Sequence, residues 1–359
     1  MMLNRKNTGR TGRLASLAAV TAAAALAPTA CSGGSGSTGG GGSSGSSSAA
    51  AGGDVKMTFI PKQLNNPYTD VVLGGGKKGA QEAGFASSQV VGPLEASASS
   101  QVSFVNAETQ AGTNVIAIAA NDPDAVCTAL GEARSAGAKI VAFDSDTNPD
   151  CRDIFISQVV AKDVALIQTK LISEQIGGSG EIAILSATAN ATNQNEWIKF
   201  MEEDLASNPA YKDIKLVAKV YGDDNDTKSF QEAQGLLQAH PNLKGIISPT
   251  TVGIAATARY LSTSAYKGKV ALTGLGLPNE MRPFVKDGTV KEFALWDPAQ
   301  LGYVAAFAGK ALQDGKITGA EGDTFTAGTL GERKVEKGGT VIVGPPTVFN
   351  ADNIDKYNF

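Results

Sequence analysis

Apolar and polar positions follow two alternating rhythms along the chain. Short β-branched runs recur at Val55–Ile60, Val115–Ala119, Lys139–Phe143, Ile154–Ser157, Glu181–Leu185, Leu216–Val220, Gly245–Ser248, Lys269–Thr273 and Val290–Leu295. Between them the apolar residues take helical spacing. Ala125–Ala136 has Val126, Leu130 and Ala133 on one face; Val164–Ile176 has Val164, Ile167, Leu171 and Ile176; Trp197–Leu205 has Trp197, Phe200, Met201 and Leu205. Lys228–Ala239, Gly253–Leu261 and Ala299–Gln313 read the same way. Strand and helix alternating at about 25–30 residues per unit is the pattern of parallel βαβ sheets. Near-continuous apolar strands such as Ile116–Ala120 fit a sheet covered on both faces. The expected fold is α/β, two doubly wound parallel-sheet lobes; a closed barrel is the competing arrangement.

The first 53 residues are of a different kind. Residues 1–13 carry Arg5, Lys6, Arg10 and Arg13, Leu14–Ala27 is apolar, and Thr29-Ala30-Cys31 follows. This is the layout of an export signal over residues 1–30. Its apolar run is too short for a comfortable membrane span. Cys31 after a small pair resembles a bacterial lipobox, with Pro28 where Leu is usual, so lipidation at Cys31 is expected. From Ser32 to Gly53 every residue is Gly, Ser, Thr or Ala. Such a segment buries nothing and serves as a tether, with a typical reach of about 26 Å. Removing those four bases from the 31 leaves 27 against 35 acidic residues, a net charge of −8 for Asp54–Phe359. So acidic a body is a poor polyanion binder, and nucleic acid is excluded as a partner.

A single His in 359 residues removes most His-based catalysis and most zinc sites. Export places Cys127 and Cys151 in an oxidising compartment, where an even pair reads as a disulfide; two buried free thiols are the alternative. Several motifs fail on inspection. Asp144–Asn148 opens like a calcium loop but has Pro149 and Phe155 where Gly and Glu are required. Gly74–Gly79 lacks the spacing of a phosphate loop and reads as a helix-packing segment or an insertion. Asp223–Asp226 reads as a solvated acidic loop, and His240, before Pro241, as the end of a helix. No metal or cofactor is expected.

In open α/β sheets ligands lie beyond the carboxyl ends of the strands. Those positions hold Pro61–Tyr68, Asp144–Asn148, Ala187–Asn195, Gly222–Asp226, Ser248–Thr251, Gly274–Asn279 and Trp296–Pro298. Each alone could be a turn or helix cap. Together their amides, carboxylates, one Lys and one Trp form a set for a polyhydroxylated ligand, since carboxylates and amides bind hydroxyls and an aromatic face covers C–H groups.

Asn65-Asn66-Pro67-Tyr68 after the first strand resembles the opening of ribose-binding-type bacterial solute receptors. Phe143–Thr147, Thr192–Trp197, Asp226–Ser229, Pro278–Pro283 and Leu295–Asp297 are similar to the rhamnose-binding and autoinducer-2-binding proteins of ABC importers. The resemblance runs from about Val55 to Phe359. It implies two lobes joined by three hinge strands, residues 54–158 plus 297–328 and residues 159–296 plus 329–359, closing on a sugar. It also implies a monomer that delivers this sugar to a membrane permease and its ATPase. In the autoinducer-2 receptors the ligand positions match Lys62, Asp144, Asn193, Gln194, Pro249 and Thr251, but Asp and Ala are usual where this chain has Asn193 and Thr251. The blocks look more like the rhamnose type. The expected ligand-binding residues are therefore Lys62, Asn66, Tyr68, Asp144, Asp146, Asn193, Gln194, Pro249, Thr251, Trp296 and Asp297. The resemblance favours a receptor for L-rhamnose or a similar sugar, with autoinducer-2 as runner-up. An exported carbohydrate-active enzyme using Asp144 and Asp297 is the reading from another class, and an export signal argues against a transcription factor of this architecture.

Overall fold

The computed structural model describes residues 54–359. The signal segment 1–30, Cys31 and the tether up to Gly53 lie outside the described residues.

The first lobe opens as β1 (Lys56–Ile60), α1 (Pro67–Glu82), β2 (Ser87–Val90), α2 (Ala98–Gln110), β3 (Val115–Ile118), α3 (Cys127–Ser135), β4 (Lys139–Phe143) and β5 (Ile154–Ser157). The second lobe follows as α4 (Ala161–Ile176), β6 (Ser179–Ser186), α5 (Thr192–Ser207), β7 (Asp213–Tyr221), α6 (Asp226–Ala239), β8 (Leu243–Ser248), α7 (Thr251–Thr263), β9 (Ala271–Gly274), α8 (Pro278–Lys286) and β10 (Glu292–Leu295). The chain then returns through α9 (Pro298–Gln313), β11 (Thr324–Thr326), β12 (Glu332–Lys334), β13 (Thr340–Ile342) and β14 (Thr347–Asn350).

The first sheet is parallel throughout, in the order β13-β5-β4-β3-β1-β2. The second runs β7-β6-β8-β9, all parallel. A Leu275–Ala294 bridge sets β10 beside β9, and β14 pairs antiparallel with β10. Both sheets have edges, so neither is a barrel. In each, strand order reverses once, between β1 and β3 and between β6 and β8, and such a reversal leaves a crevice at the strand ends. The two crevices face each other across the cleft.

The chain passes between lobes three times, after β5, after β10 and after β13. The first and third passages run side by side: Val343 N donates to Ser157 O at 2.9 Å and Gly344 N to Gln158 O at 3.2 Å. The expected assignment of residues 329–359 to the second lobe is corrected here. Thr340–Ile342 pairs in register with Phe155–Ser157, and Val335, Val341 and Val343 are buried in the first lobe's core. Only from β14 onward does the chain join the second lobe.

Several elements were hidden from the apolar pattern. In α2 the sequence is largely polar, and Ser87–Val90 alternates exposed and half-buried positions as an edge strand does. The helix α1 carries Gly74, Gly75, Gly76 and Gly79, each unfavourable in a helix by about 1 kcal/mol. Packing against α9 explains two of them. A Cβ on Gly75 would sit 1.9 Å from Ala299 O and one on Gly79 2.8 Å from Tyr303 O, while on the facing helix one on Gly302 would sit 2.0 Å from Val72 O. The two helices meet backbone to backbone, which fixes the start of α1 and the cleft residues just before it. Cys127, at the start of α3, is bonded to Cys151, with 5.2 Å between their Cα atoms. The bond ties α3 to the loop that leaves β4 with Asp144.

Candidate functional site

Where β1 ends, Gln101 Nε2 donates to Pro61 O at 3.0 Å and Asn121 Nδ2 to Lys62 O at 2.8 Å. These buried bonds hold the backbone that aims Lys62 into the cleft. Asn66 caps α1, its Oδ1 accepting from Tyr68 N at 3.0 Å and Thr69 N at 3.3 Å. Its amide nitrogen is left for the cleft. At the end of β4, Asp144 has φ 61°. This left-handed backbone is uncommon for a residue with a side chain, although Asp tolerates it better than most. It turns a side chain only 11% exposed toward the opposite lobe.

A relay organises this carboxylate. Trp296 Nε1 donates to Tyr68 Oη at 3.0 Å, and Tyr68 Oη donates to Asp144 Oδ1 at 2.9 Å. The other oxygen, Oδ2, lies 3.8 Å from Lys62 Nζ. Burial raises the Asp144 carboxyl above its ordinary 3.8, against the opposing pull of Lys62 and the Tyr68 hydrogen bond. Burial and the neighbouring Asp144 charge push Tyr68 well above the usual phenol value, so it remains a neutral donor.

From the second lobe, α5 contributes Asn193 and Gln194. Gln194 Oε1 accepts from Ser186 Oγ at 2.6 Å and Ala187 N at 2.8 Å, which leaves its amide N–H groups for the cavity. Asn193 Oδ1 accepts from Lys62 Nζ at 3.0 Å, and its Nδ2 donates to Asp144 O at 3.4 Å. With Gln63 Nε2 donating to Asp224 O at 3.2 Å, these contacts bridge the lobes. The space they enclose is about 60 Å³. Lys62, Asp144 and Asn193 hold one another across the cleft, so a ligand of any size reaches these atoms only when the bridges part.

Of the expected residues, Lys62, Asn66, Tyr68, Asp144, Asn193, Gln194, Pro249, Thr251 and Trp296 line this one cavity. Asp146 and Asp297 do not. Both Asp146 oxygens are taken by Arg152, at 2.6 Å from Nε and 2.8 Å from Nη2, and that guanidinium also donates to Gly338 O and Gly339 O. Asp297 caps α9, accepting from Ala299 N at 3.0 Å and Gln300 Nε2 at 3.2 Å. Asp144 and Asp297 thus form no catalytic pair in the cavity.

The cavity adds Trp197, Asp224, Gln63, Thr250 and an apolar wall of Val72, Phe143, Leu275 and Leu295. Trp197 lies one turn beyond Asn193 on α5, and that i+4 spacing was the signal for it. It meets Trp296 edge-on, with ring centroids 5.9 Å apart, and Trp296 meets Tyr68 in the same way at 6.1 Å. Asp224 follows the strand-end rule that found the others. The run of acids around it read as solvent-facing instead. Among the described residues there is no group of three or more His, Cys, Asp or Glu placed to hold a metal, and no helix long and apolar enough to cross a membrane.

Two carboxylates, one ammonium, free amides and two indoles around a closing cleft can hold a neutral polyol. Residues 57–317 match the periplasmic binding protein domain. The chain belongs to the periplasmic binding protein family. It is 72% identical to a sugar ABC transporter protein from Actinomyces odontolyticus, whose crystal structure covers 85% of this chain and 98% of its own at a TM-score of 0.70. It is 35% identical to an ABC transporter solute binding protein from Clostridium phytofermentas solved with bound L-rhamnose, covering 85% and 98% at a TM-score of 0.80. It is 25% identical to LsrB from Clostridium saccharobutylicum in complex with AI-2, covering 85% and 100% at a TM-score of 0.79. This periplasmic binding protein is of the type I sugar-binding kind, a non-enzymatic extracytoplasmic component of an ABC transporter.

Proposed function

We propose that this protein captures a 6-deoxyhexose, L-rhamnose, for import, and that lipidation of Cys31 anchors it at the outer face of the cytoplasmic membrane. One observation carries the choice of ligand: the cavity lining combines hydrogen-bonding groups with a large apolar share. Lys62, Asp144, Asn193 and Gln194 supply hydrogen-bonding groups, and Val72, Phe143, Leu275, Leu295 and the two Trp residues supply apolar surface. A pyranose with four ring hydroxyls and a methyl at C6 matches such a lining. Burying the methyl contributes about 0.8 kcal/mol, whereas a hydroxymethyl left without a partner there costs about 1–3 kcal/mol. The rhamnose-bound relative from Clostridium phytofermentas supports the same choice.

Lys62 and Asp144 belong to the first lobe, Asn193 and Gln194 to the second. A sugar touches all four only when the lobes are closed, so its binding energy favours the closed form. The monomer presents that form to the permease, and the ATPase drives release and transport. The autoinducer-2 reading draws support from LsrB and from Lys62, Asp144, Gln194 and Pro249, against the departures at Asn193 and Thr251. A thermal-shift series over L-rhamnose, L-mannose, D-ribose and AI-2 tests the proposal. L-Rhamnose is expected to give the largest rise in melting temperature. A larger rise with L-mannose would overturn the deoxy assignment, and one with AI-2 would replace the sugar.

A further inference from the structure

The loop after β7 places a second carboxylate at the cavity. Asp223 and Asp224 both have left-handed backbone, φ 55° and 48°. Two consecutive non-glycine residues in that region carry a conformational cost that the surroundings must hold in place. Two contacts do so. Gln63 of the first lobe donates to Asp224 O, and Thr250 Oγ1 donates to Asp224 Oδ1. Thr250 occupies the N-cap position of α7, where a hydroxyl ordinarily accepts from the helix's first N–H groups, yet it makes no such bond. Its hydroxyl is turned to the carboxylate instead. Oδ2 of Asp224 has no side-chain partner among the described residues, and the side chain lines the same cavity as Asp144 and Lys62.

Resting on the sugar-receptor reading above, we infer that Asp224 is a ligand-holding and specificity-determining residue. It accepts a sugar hydroxyl from the second lobe, opposite Asp144, and bars ligands bearing an anionic group. Among the described residues Lys62 is the cavity's one cation against Asp144 and Asp224. A uronate or sugar phosphate would bring a third negative charge into a site whose own charges already sum to minus one. Burial raises the Asp224 carboxyl, with Lys62 opposing and Asp144 adding to the rise, which agrees with two carboxylates facing one space. Because the hydroxyl reaches Asp224 only across a closed cleft, the residue acts on ligand escape more than on encounter.

The test is a calorimetric titration of wild type, Asp224→Asn and Thr250→Val with L-rhamnose and with D-galacturonate as the anionic probe. Asp224→Asn is expected to weaken L-rhamnose binding at least tenfold and to narrow the ratio between the neutral and the anionic ligand. Thr250→Val, which removes the orienting hydroxyl without losing a cap bond, is expected to weaken L-rhamnose binding about threefold, and it serves where Asp224→Asn fails to fold. Unchanged affinity and unchanged ratio in a folded variant would overturn the inference while leaving the receptor reading intact. A wild type that binds no neutral sugar would overturn the receptor reading and the inference with it.

Discussion

Replacing Asp144 by Asn removes one charge and almost no volume. Oδ1 already accepts from Tyr68 at 2.9 Å, so Oδ2 is the oxygen facing the cavity and Lys62. A hydrogen bond to a charged group is worth about 1.5–3 kcal/mol. At about 1.4 kcal/mol per decade, losing that one bond weakens ligand binding roughly 10- to 140-fold. Folding responds differently. The native carboxyl is raised above 3.8, so the folded protein binds the proton more readily than the unfolded chain does. The ionised group therefore opposes folding at neutral pH, and a neutral Asn avoids that cost. Titration calorimetry and thermal melts at neutral pH should show a weaker Kd with a melting temperature no lower than wild type. An affinity within twofold of wild type would refute the role of Oδ2. A collapsed melting temperature would show that Asp144 serves the fold.

Acidification separates the same two effects: as pH falls toward 3.8 through the raised values of Asp144 and Asp224, sugar affinity should drop while these groups' contribution to stability rises, read by paired titrations and melts. Gly75→Ala, whose Cβ would meet Ala299 O at 1.9 Å, should cost about 1–3 kcal/mol in denaturant unfolding, whereas Gly74→Ala, with nothing within 4 Å, should gain about 0.5–1 kcal/mol. Replacing Cys127 and Cys151 by Ser opens a loop of sequence separation 24 and should lower stability by about 3.5 kcal/mol in the same assay. Asp297→Ala should cost about 1 kcal/mol as a lost helix cap and leave the Kd unchanged.

The parallel strands were legible because their apolar runs are buried on both faces, as in Val115–Ile118 and Lys139–Phe143. The apolar pattern shows neither α1 nor α2, although the Gly74–Gly79 run reads as a helix-packing segment or an insertion. One follows from glycines whose reason is a neighbour more than 200 residues away, and the other is too polar to show a face. Strand ends located the site, yet residue type there does not tell a ligand group from a cap or an ion-pair partner. Asp144, Asp146 and Asp297 look alike in sequence; Tyr68, Arg152 and Ala299 N decide among them. Asp224 was obscured for the converse reason: a half-buried acid stood among exposed ones.

The chain has two Trp residues, and both line the cavity. Tryptophan emission therefore reports the site alone. Titrating L-rhamnose into the purified protein at neutral pH should change that emission saturably, with one-to-one stoichiometry, and the change should shrink in Asp144→Asn. Emission indifferent to L-rhamnose and to every other neutral sugar would contradict the claim that this cleft closes on one.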